Sequence, residues 1–252
     1  MSLAGKVVII TGAGSGIGRA TAFKAASEGA ILALGDINPS GLEETFRQCQ
    51  LSFDVPKALH VQFSFDVGSS SGCSSFVDAI MTVHRKIDCV FNCAGINPTR
   101  IPTEAVSDDM LDKMINTNLK GTFNMTRACL PHMRSGSSFV NVSSVAGLHP
   151  ISEFAIYCAT KHAVVGFSKS VALEVGPRGI RVNVVAPGSI DTPTNASVQA
   201  GNEALKNTAK AVGLRRVGTA EEVADVVLFL FGDGSRYMNG SVVEIHGGLG
   251  VQ

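Results

Sequence analysis

Short runs of aliphatic and β-branched residues alternate with longer amphipathic stretches along this 252-residue chain. The runs are nearly continuous, as in VVII at 7–10 and ILALGD at 31–36, and lack the polar alternation of a half-exposed strand. Continuous apolar strands separated by helices are typical of a parallel sheet that is covered on both faces. The sequence therefore predicts an α/β fold, with a doubly wound parallel β-sheet of about seven strands flanked by helices.

The predicted elements follow from these runs and from the helical periodicity between them. Strands are expected at 6–11, 30–36, 60–66, 88–92, 138–143, 181–186 and 241–245. Helices are expected at 17–28, 41–49, 71–84, 107–133, 155–174 and 220–231. The segment 188–218 is too long for an ordinary loop after a strand, so it predicts a lid inserted into one domain that spans residues 1–252.

Charge and composition argue against several classes of protein. The chain has 21 basic and 21 acidic side chains, a formal net charge of zero and no basic run, which disfavours a nucleic-acid partner. Its apolar runs are far shorter than the roughly 20 residues of a membrane span. Export and lipidation patterns are not expected, because one lysine and then a glycine-rich turn follow Met1. A cytoplasmic protein without a membrane partner is expected.

The six cysteines and six histidines show no metal-binding pattern. Cys89 and Cys93 form the one close cysteine pair, and neither a C-x-x-C motif nor a histidine partner at zinc spacing accompanies it. Without an export signal, reduced thiols packed as small apolar groups are the expectation. No metal site is predicted.

The first predicted strand leads into a glycine-rich turn, TGAGSGIG at 11–18, which opens directly into a helix. Glycine allows positive φ and close approach of the backbone to a pyrophosphate, and a helix N-terminus offers free N–H groups to an anion. The spacing is T-G-x-x-x-G-x-G and departs from G-x-G-x-x-G. The turn predicts a dinucleotide-binding site, with a tight βα turn that binds nothing as the alternative.

Asp36 ends the second predicted strand, 18 residues after Gly18. This is close to the spacing of a carboxylate that binds a ribose 2′-hydroxyl and would repel a 2′-phosphate. The nearby Ser15 and Ile37 are not basic, so the sequence favours NAD over NADP. The alternative is that Asp36 caps the helix that follows it.

Tyr157 and Lys161 are four residues apart in a helical segment, which places them on one face. A nearby ammonium and a positive nicotinamide ring favour the phenolate, so we expect the pKa of Tyr157 to be lowered from about 10. Ser144 follows the fifth strand at the same sheet edge and can donate to a substrate oxygen. Asn118 lies inside the predicted helix 107–133, where its side chain competes with the backbone, so a broken turn is expected there.

Together these residues resemble the short-chain dehydrogenase/reductase (SDR) family, and the match covers essentially the whole chain. The pieces that carry it are TGAGSGIG at 11–18, NCAG at 92–95, Asn118, Ser144, Tyr157, Lys161 and PGSIDT at 187–192. The resemblance implies a Rossmann-type fold, a homotetramer or dimer, and a catalytic tetrad. In that tetrad Tyr157 is the general acid/base, Ser144 polarises the substrate oxygen, Lys161 binds the nicotinamide ribose, and Asn118 supports a proton relay.

The strand ends and this resemblance also predict the cofactor contacts. By resemblance, Asp66 and Val67 meet the adenine, while Ile190 and Thr192 meet the nicotinamide carboxamide. The full predicted set is Gly12, Ser15, Gly16, Ile17, Gly18, Asp36, Ile37, Asp66, Val67, Asn92, Ala94, Gly95, Tyr157, Lys161, Pro187, Gly188, Ile190 and Thr192.

Two positions depart from the family pattern. Cys93 stands where relatives usually have a second asparagine, and little functional change is expected from it. His246 stands where relatives often have aspartate before Gly-Gly, near their subunit contacts. Either a pH-sensitive interface or a merely tolerated histidine is compatible with that departure.

The expected substrate walls are 96–103, 145–154 and the lid segment 193–217. Their apolar side chains are Ile96, Pro98, Leu148, Ile151, Phe154, Val198, Leu205 and Leu214. They favour hydride transfer between NAD(H) and a neutral, moderately hydrophobic secondary alcohol or ketone, although Arg100, Lys206 and Lys210 could meet a carboxylate. The alternatives are an NADPH-dependent 3-oxoacyl thioester reductase, a non-catalytic NAD sensor or scaffold, and a non-redox enzyme on the same scaffold.

Overall fold

A computed structural model describes residues 2–52, 60–193 and 209–249. Seven strands form one sheet in the order β3-β2-β1-β4-β5-β6-β7, and every neighbouring pair is parallel. The strands are β1 Val7–Thr11, β2 Ile31–Asp36, β3 Val61–Ser64, β4 Ile87–Asn92, β5 Met133–Val142, β6 Arg181–Pro187 and β7 Val242–Ile245. The predicted doubly wound parallel sheet of seven strands is confirmed.

Helices cover both faces of this sheet. They are α1 Gly16–Ser27, α2 Pro39–Ser52, α3 Ser70–His84, α4 Asp108–Met114, α5 Gly121–Cys129, α6 Ala155–Val175 and α7 Ala220–Phe231. The helix predicted at 107–133 is not continuous: it is interrupted at the broken turn expected around Asn118 and ends earlier than predicted. A π-helical turn at Ile115–Lys120 separates α4 from α5, and a short 3₁₀ turn at Leu130–His132 follows α5 because Pro131 cannot continue an α-helix.

Two apolar cores lie on opposite faces of the sheet. On one face, alanines of α1 pack with Val223 and Val227 of α7 and with the strands beneath them. On the other face, Phe76 of α3 and Met125 of α5 pack against alternate residues of the same strands. All five residues of β1 are buried, which explains why its sequence is a continuous apolar run with no polar alternation.

The strand order reverses between β1 and β4, so the loops after these two strands diverge and open a cleft at the carboxyl edge. The Thr11 hydroxyl at the end of β1 accepts hydrogen bonds from the backbone N–H groups of Cys93 and Ala94, both at 3.2 Å. This contact fixes the glycine-rich turn beside the loop after β4. The TGAGSGIG and NCAG segments therefore meet where the strand order reverses.

All six cysteines are free thiols. Within the described ranges, no three His, Cys, Asp or Glu side chains gather closely enough to hold a metal ion. Nor does any helix there combine the length and apolarity that crossing a membrane requires.

Candidate active site

A cleft of about 890 Å³ runs along the carboxyl edge of the sheet, from Asp36 at one end to Phe154 at the other. Of the predicted cofactor residues, all except Asn92 line it. They come from the loops after β1, β2, β3, β4, β5 and β6, which the parallel topology brings to a single edge. The cleft therefore assembles residues that are distant in sequence.

The glycine-rich turn has the close packing that a phosphate cradle needs. Gly12 has φ +69°, and a Cβ on it would lie 2.9 Å from the Cα of Ala94. A Cβ on Gly18 would lie 2.1 Å from the carbonyl oxygen of Gly12, so the two ends of the turn touch through backbone alone. Ser15 precedes α1 in an extended conformation, and its side chain does not cap the helix. The first N–H groups of α1 thus face the cleft side of the turn, which fits a bound pyrophosphate.

Asp36 stands beside this turn and does not cap α2. Its Oδ2 accepts from the N–H of Gly14 at 2.7 Å, and its Oδ1 accepts from the N–H of Asn38 at 2.8 Å. The helix cap is Asn38, whose Oδ1 accepts from the N–H of Gly41 at 3.2 Å. The capping alternative for Asp36 is therefore wrong. The carboxylate lines the cleft, where a ribose hydroxyl of a dinucleotide could reach it.

Arg19 lies beside the same turn, and its donors have other acceptors. The guanidinium of Arg19 donates to the hydroxyl of Thr45 at 2.9 Å and to the carbonyl oxygens of Gly14 and Gly41. These contacts hold the turn, and Arg19 is not among the residues that line the cleft. Ile37, which follows Asp36, is apolar and mostly exposed. Among the described residues, neither Arg19 nor Ile37 therefore places a basic group in the cleft beside Asp36.

Asn92, predicted as a cofactor contact, points away from the cleft. Its Nδ2 donates to Asn141 Oδ1 at 2.8 Å on the neighbouring strand and to Thr126 Oγ1 at 3.2 Å on α5. Asn141 donates in turn to Ser168 on α6 at 2.8 Å. Side chains alternate between the two faces of a strand, so the Asn92 side chain lies on the face that α5 and α6 cover. Asn92 therefore connects β4 to β5 and α5 beneath the cleft.

Ser144, Tyr157 and Lys161 line the cleft together. Ser144 follows β5, and its Oγ accepts from the N–H of Ala146 at 3.2 Å and donates to the carbonyl oxygen of Pro187 at 3.4 Å. Burial raises the pKa of Tyr157 to about 12, and a hydrogen bond with the Ser144 side chain partly opposes that rise. In the chain by itself, Tyr157 is therefore a phenol that can give a proton to an oxygen placed between it and Ser144.

Lys161 lies beneath the tyrosine on α6. Its Nζ is 5.7 Å from the centroid of the Tyr157 ring and donates to the carbonyl oxygen of Val142 at 3.0 Å. Burial lowers the pKa of Lys161 to about 8. In the chain alone the pKa of Tyr157 is raised and not lowered, because desolvation of the buried ring outweighs the hydrogen bond with Ser144; the expected lowering also included the positive nicotinamide ring.

Asn118 does not line the cleft, although the broken turn expected around it is present. It lies in the π-helical turn and is 1% exposed. Its Oδ1 accepts from the N–H of Ile96 at 2.8 Å, and its Nδ2 donates to the carbonyl oxygen of Ile96 at 3.0 Å and to Thr160 Oγ1 at 3.3 Å. Asn118 thus ties the loop after β4 to α6, directly behind the reactive side chains.

The substrate end of the cleft is mostly apolar, with one arginine at its rim. The rings of Phe154 and Tyr157 meet edge to face at 6.2 Å, and the Arg100 guanidinium lies 5.4 Å from the Phe154 ring. Arg100 also approaches Glu153 Oε2 at 3.8 Å. The lining residues here are Ile96, Asn97, Arg100, Val145, Ala146, Ile151, Phe154 and Leu249.

Several expected wall residues stand elsewhere. Pro98 and Leu148 do not line the cleft, and Leu214 lines a smaller neighbouring cavity. Lys210 is exposed, whereas Val198, Leu205, Lys206 and most of the predicted lid lie outside the described residues.

The cleft also contains residues that sequence reasoning did not single out. They are Phe65, Lys113, Asn116, Thr117, Val142, Ser143 and Leu249. Phe65, Val142 and Ser143 lie at or beside the carboxyl ends of β3 and β5, so the position of these strand ends could have identified them. Asn116 and Thr117 belong to the π-helical turn, which the sequence did not specify.

Comparison with known proteins agrees with this geometry. A family model described as enoyl-(acyl carrier protein) reductase matches residues 12–250. The chain is 38% identical to 3-oxoacyl-(acyl-carrier-protein) reductase FabG of Thermotoga maritima, covering 99% of each chain. It is also 38% identical to levodione reductase of Leifsonia aquatica, covering 96% of this chain and 93% of that protein. A crystal structure of levodione reductase superposes with a TM-score of 0.92 at 37% identity, covering 98% of each chain.

These relatives match nearly the full length of the chain, and the levodione reductase structure shares its fold. The protein belongs to the short-chain dehydrogenase/reductase family of oxidoreductases, which use a nicotinamide cofactor, NAD or NADP.

Proposed function

We propose that this protein transfers a hydride between NAD(H) and a neutral, moderately hydrophobic secondary alcohol or its ketone. The observation that carries the proposal is one cleft that holds Asp36 and the glycine-rich turn at one end and Ser144, Tyr157 and Lys161 at the other. A dinucleotide anchored by the first group would place its nicotinamide end near the second.

Tyr157 is the proton-transfer group in this proposal. During ketone reduction its phenol gives a proton to the carbonyl oxygen, and during alcohol oxidation its phenolate takes the proton back. The Ser144 hydroxyl donates to the same oxygen and favours the charge that develops there. The nicotinamide cofactor supplies or accepts the hydride when it is bound.

Lys161 and Asn118 support this exchange from the protein side. The Lys161 ammonium is a positive charge close to the tyrosine, and the cofactor's own positive ring adds to it in the oxidising direction. The cofactor's positive ring would lower the pKa of Tyr157 relative to the chain alone. Asn118 holds the backbone of Ile96 next to this group, and we assign it a supporting role in a proton relay to solvent.

NAD is favoured over NADP by the surroundings of Asp36. Its two oxygens each accept one backbone N–H and retain lone pairs for a ribose hydroxyl. A phosphate in the same place would be repelled by the carboxylate, and Arg19 is held behind the turn by three other acceptors. A neutral substrate is favoured by the apolar lining around Phe154 and Ile151.

A second candidate is reduction of a 3-oxoacyl thioester with NADPH. The 38% identity to a 3-oxoacyl-(acyl-carrier-protein) reductase over the whole chain supports it. Asp36 argues against the NADPH part of that activity, and the lining of the cleft does not separate a thioester from a simple ketone.

The test is turnover followed by nicotinamide absorbance, with NADH and NADPH in turn, against matched ketones and 3-oxoacyl thioesters. Preference for NADH with ketones supports the first candidate, whereas preference for NADPH with thioesters would replace it by the second. Tight NADH binding without turnover of any substrate would argue for a sensing, scaffold or non-redox role instead.

A further inference from the structure

We propose that His246 is a positioning residue for the substrate end of the cleft, acting through the turn that follows it. Its Nδ1 accepts two backbone hydrogen bonds, from the N–H of Gly248 at 3.0 Å and from the N–H of Leu249 at 3.1 Å. Leu249 lines the cleft. The inference rests on the proposed function, because it concerns the wall of that same site.

These two bonds define the protonation state of the ring. A ring nitrogen that accepts N–H donors carries no proton, so the proton of the neutral imidazole is on Nε2. Nε2 lies 3.1 Å from Glu244 Oε2 and donates to it. A second proton would sit on Nδ1 and face two N–H groups, so uptake of that proton breaks both bonds to the turn.

The turn depends on this acceptor because its own backbone is unusual. Gly247 and Gly248 have φ of +61° and +84°, which other residues rarely adopt. Elsewhere the turn is held by the N–H of Leu214, which donates to the carbonyl oxygen of Gly247 at 2.9 Å. Loss of the His246 acceptor would leave the N–H of Gly248 without this partner, whereas the N–H of Leu249 would keep its bond to the carbonyl oxygen of His246 at 3.2 Å.

His246 also touches the loop after β6 that contains cleft residues. A Cβ on Gly188 would lie 2.7 Å from the Cβ of His246 and 3.7 Å from Cδ2 of Leu249. The N–H of Gly188 donates to the carbonyl oxygen of Ile245 at 2.9 Å. The backbone and Cβ of His246, Gly188 and Leu249 therefore pack together, and we expect displacement of the turn to change the wall near Ser144 more than the wall near Asp36.

Charged groups around the ring are few. His246 borders a small cavity of about 200 Å³, whose charged lining residues within the described chain are Arg216, Glu222 and Glu244. Arg216 is paired with Glu222, with Nη1 and Oε2 2.8 Å apart. Glu244 is therefore the charge in direct contact with His246.

The consequence is a substrate KM that depends on the hydrogen-bond acceptor at residue 246. When that acceptor is removed, we expect KM to rise roughly threefold to tenfold, because two backbone N–H groups lose their side-chain partner. The Kd for NADH, measured by fluorescence, should change by less than about twofold, because the adenosine end is anchored at Asp36.

Two variants separate an acceptor from mere packing. In His246→Asn, Oδ1 replaces Nδ1 as the acceptor, so KM should stay close to the wild-type value. In His246→Leu, the ring volume is roughly kept and the acceptor is lost, so KM should be raised. Glu244→Gln is the control that removes the neighbouring charge and keeps a hydrogen-bond partner for Nε2.

Amide hydrogen exchange at Gly248 and Leu249 in the cofactor-free protein gives a readout independent of turnover. Protection should be similar in the wild type and in His246→Asn and should fall in His246→Leu, most at Gly248. The proposal is overturned if His246→Asn raises KM and lowers protection as much as His246→Leu does, or if His246→Leu leaves both unchanged. If no substrate turns over, the proposed function fails while the exchange data still decide the role of His246.

Discussion

Asn118 and Thr160 are joined by a 3.3 Å hydrogen bond that links the π-helical turn to α6. The same Thr160 hydroxyl donates to the carbonyl oxygen of Tyr157 at 2.9 Å. Thr160 is 3% exposed, so neither bond is shared with bulk solvent. The hydroxyl therefore connects the asparagine behind the site to the helix turn that presents the reactive tyrosine.

Replacing Thr160 by valine should weaken this connection without opening a cavity. The change leaves the amide of Asn118 with one partner fewer, which should lower the free energy of unfolding by about 1 to 3 kcal/mol. We expect kcat to fall roughly threefold to tenfold while the Kd for NADH is unchanged. Urea unfolding and steady-state kinetics measure the two effects. Thr160→Ser keeps the hydroxyl and should behave like the wild type; equal losses in both variants would argue that the methyl group matters instead.

Removing the hydroxyl of Tyr157 tests the proton-transfer role. Tyr157→Phe should lower kcat by roughly 10²- to 10⁴-fold while the Kd for NADH changes little, because the ring still packs against Phe154. Steady-state rates and fluorescence titration with NADH report the two quantities separately. Retention of most of the turnover in this variant would transfer the role to another group.

The direction of the reaction should respond to pH through the same side chain. In the chain alone the pKa of Tyr157 is raised to about 12, so the phenol form predominates at neutral pH. Ketone reduction needs that form, whereas alcohol oxidation needs the phenolate, so kcat/KM for oxidation should increase with pH between about 6 and 9. Rates in both directions over this range provide the measurement. An oxidation rate that falls with increasing pH would contradict the assignment.

Neutralising Asp36 should change cofactor preference. In Asp36→Asn the charge that repels a 2′-phosphate is gone, and one backbone N–H loses its anionic acceptor. We expect kcat/KM to fall about tenfold with NADH and to increase with NADPH, so the ratio of the two drops roughly 10- to 100-fold. Asp88→Asn, at a partly exposed carboxylate that accepts from the N–H of Val7 at the far end of β1, is the matched control. An unchanged ratio would show that specificity is set elsewhere.

Two glycine-to-alanine changes make opposite predictions. At Gly18 a Cβ would overlap the Gly12 carbonyl oxygen at 2.1 Å, so Gly18→Ala should displace the turn and weaken NADH binding at least tenfold. At Gly166, inside α6, no atom lies within 4 Å of the added Cβ. Gly166→Ala should therefore stabilise the protein by roughly 0.5 to 1 kcal/mol and leave binding unchanged. Thermal unfolding and NADH titration of both variants check this contrast.

The buried thiol of Cys89 should make stability fall at alkaline pH. Burial raises its pKa from 9.0 to about 12, so above pH 9 the unfolded chain releases a proton that the folded chain retains. Its contribution is complete below pH 9 and is lost progressively as pH rises toward 12, amounting to about 2 kcal/mol near pH 10.5. Urea unfolding at pH 8 and 10.5 should show a smaller decrease in Cys89→Ala than in the wild type. Parallel decreases in the two proteins would assign the effect to other groups.

The sheet and the residues of the cleft could be predicted because each depends on a local pattern. Apolar runs specify buried strands, and loops that follow parallel strands must share one edge, so Gly12, Asp36 and Ser144 could be assigned to the same site before any coordinates. The direction of the Asn92 side chain, toward α5, could not be predicted, because it depends on which face of β4 packs against that helix. The direction in which the pKa of Tyr157 shifts could not be predicted either, because it depends on the burial of the ring, which the sequence does not show.

The acceptor role of His246 illustrates a different limit. Its position before two glycines was visible in the sequence, but the two N–H groups that meet Nδ1 belong to backbone whose φ values the sequence does not state. The departure from the family pattern at position 246 therefore indicated an unusual residue without indicating its hydrogen-bond partners.

The reversal of strand order between β1 and β4 divides the cleft into two halves that are built from different parts of the chain. Residues near Asp36 come from before the reversal, whereas Ser144, Tyr157 and Phe154 come from after it. Substitutions in separate, non-touching groups usually combine additively in free energy. We therefore expect coenzyme preference and substrate preference to change independently of each other. When a variant that alters one is combined with a variant that alters the other, their effects on the reaction rate should multiply.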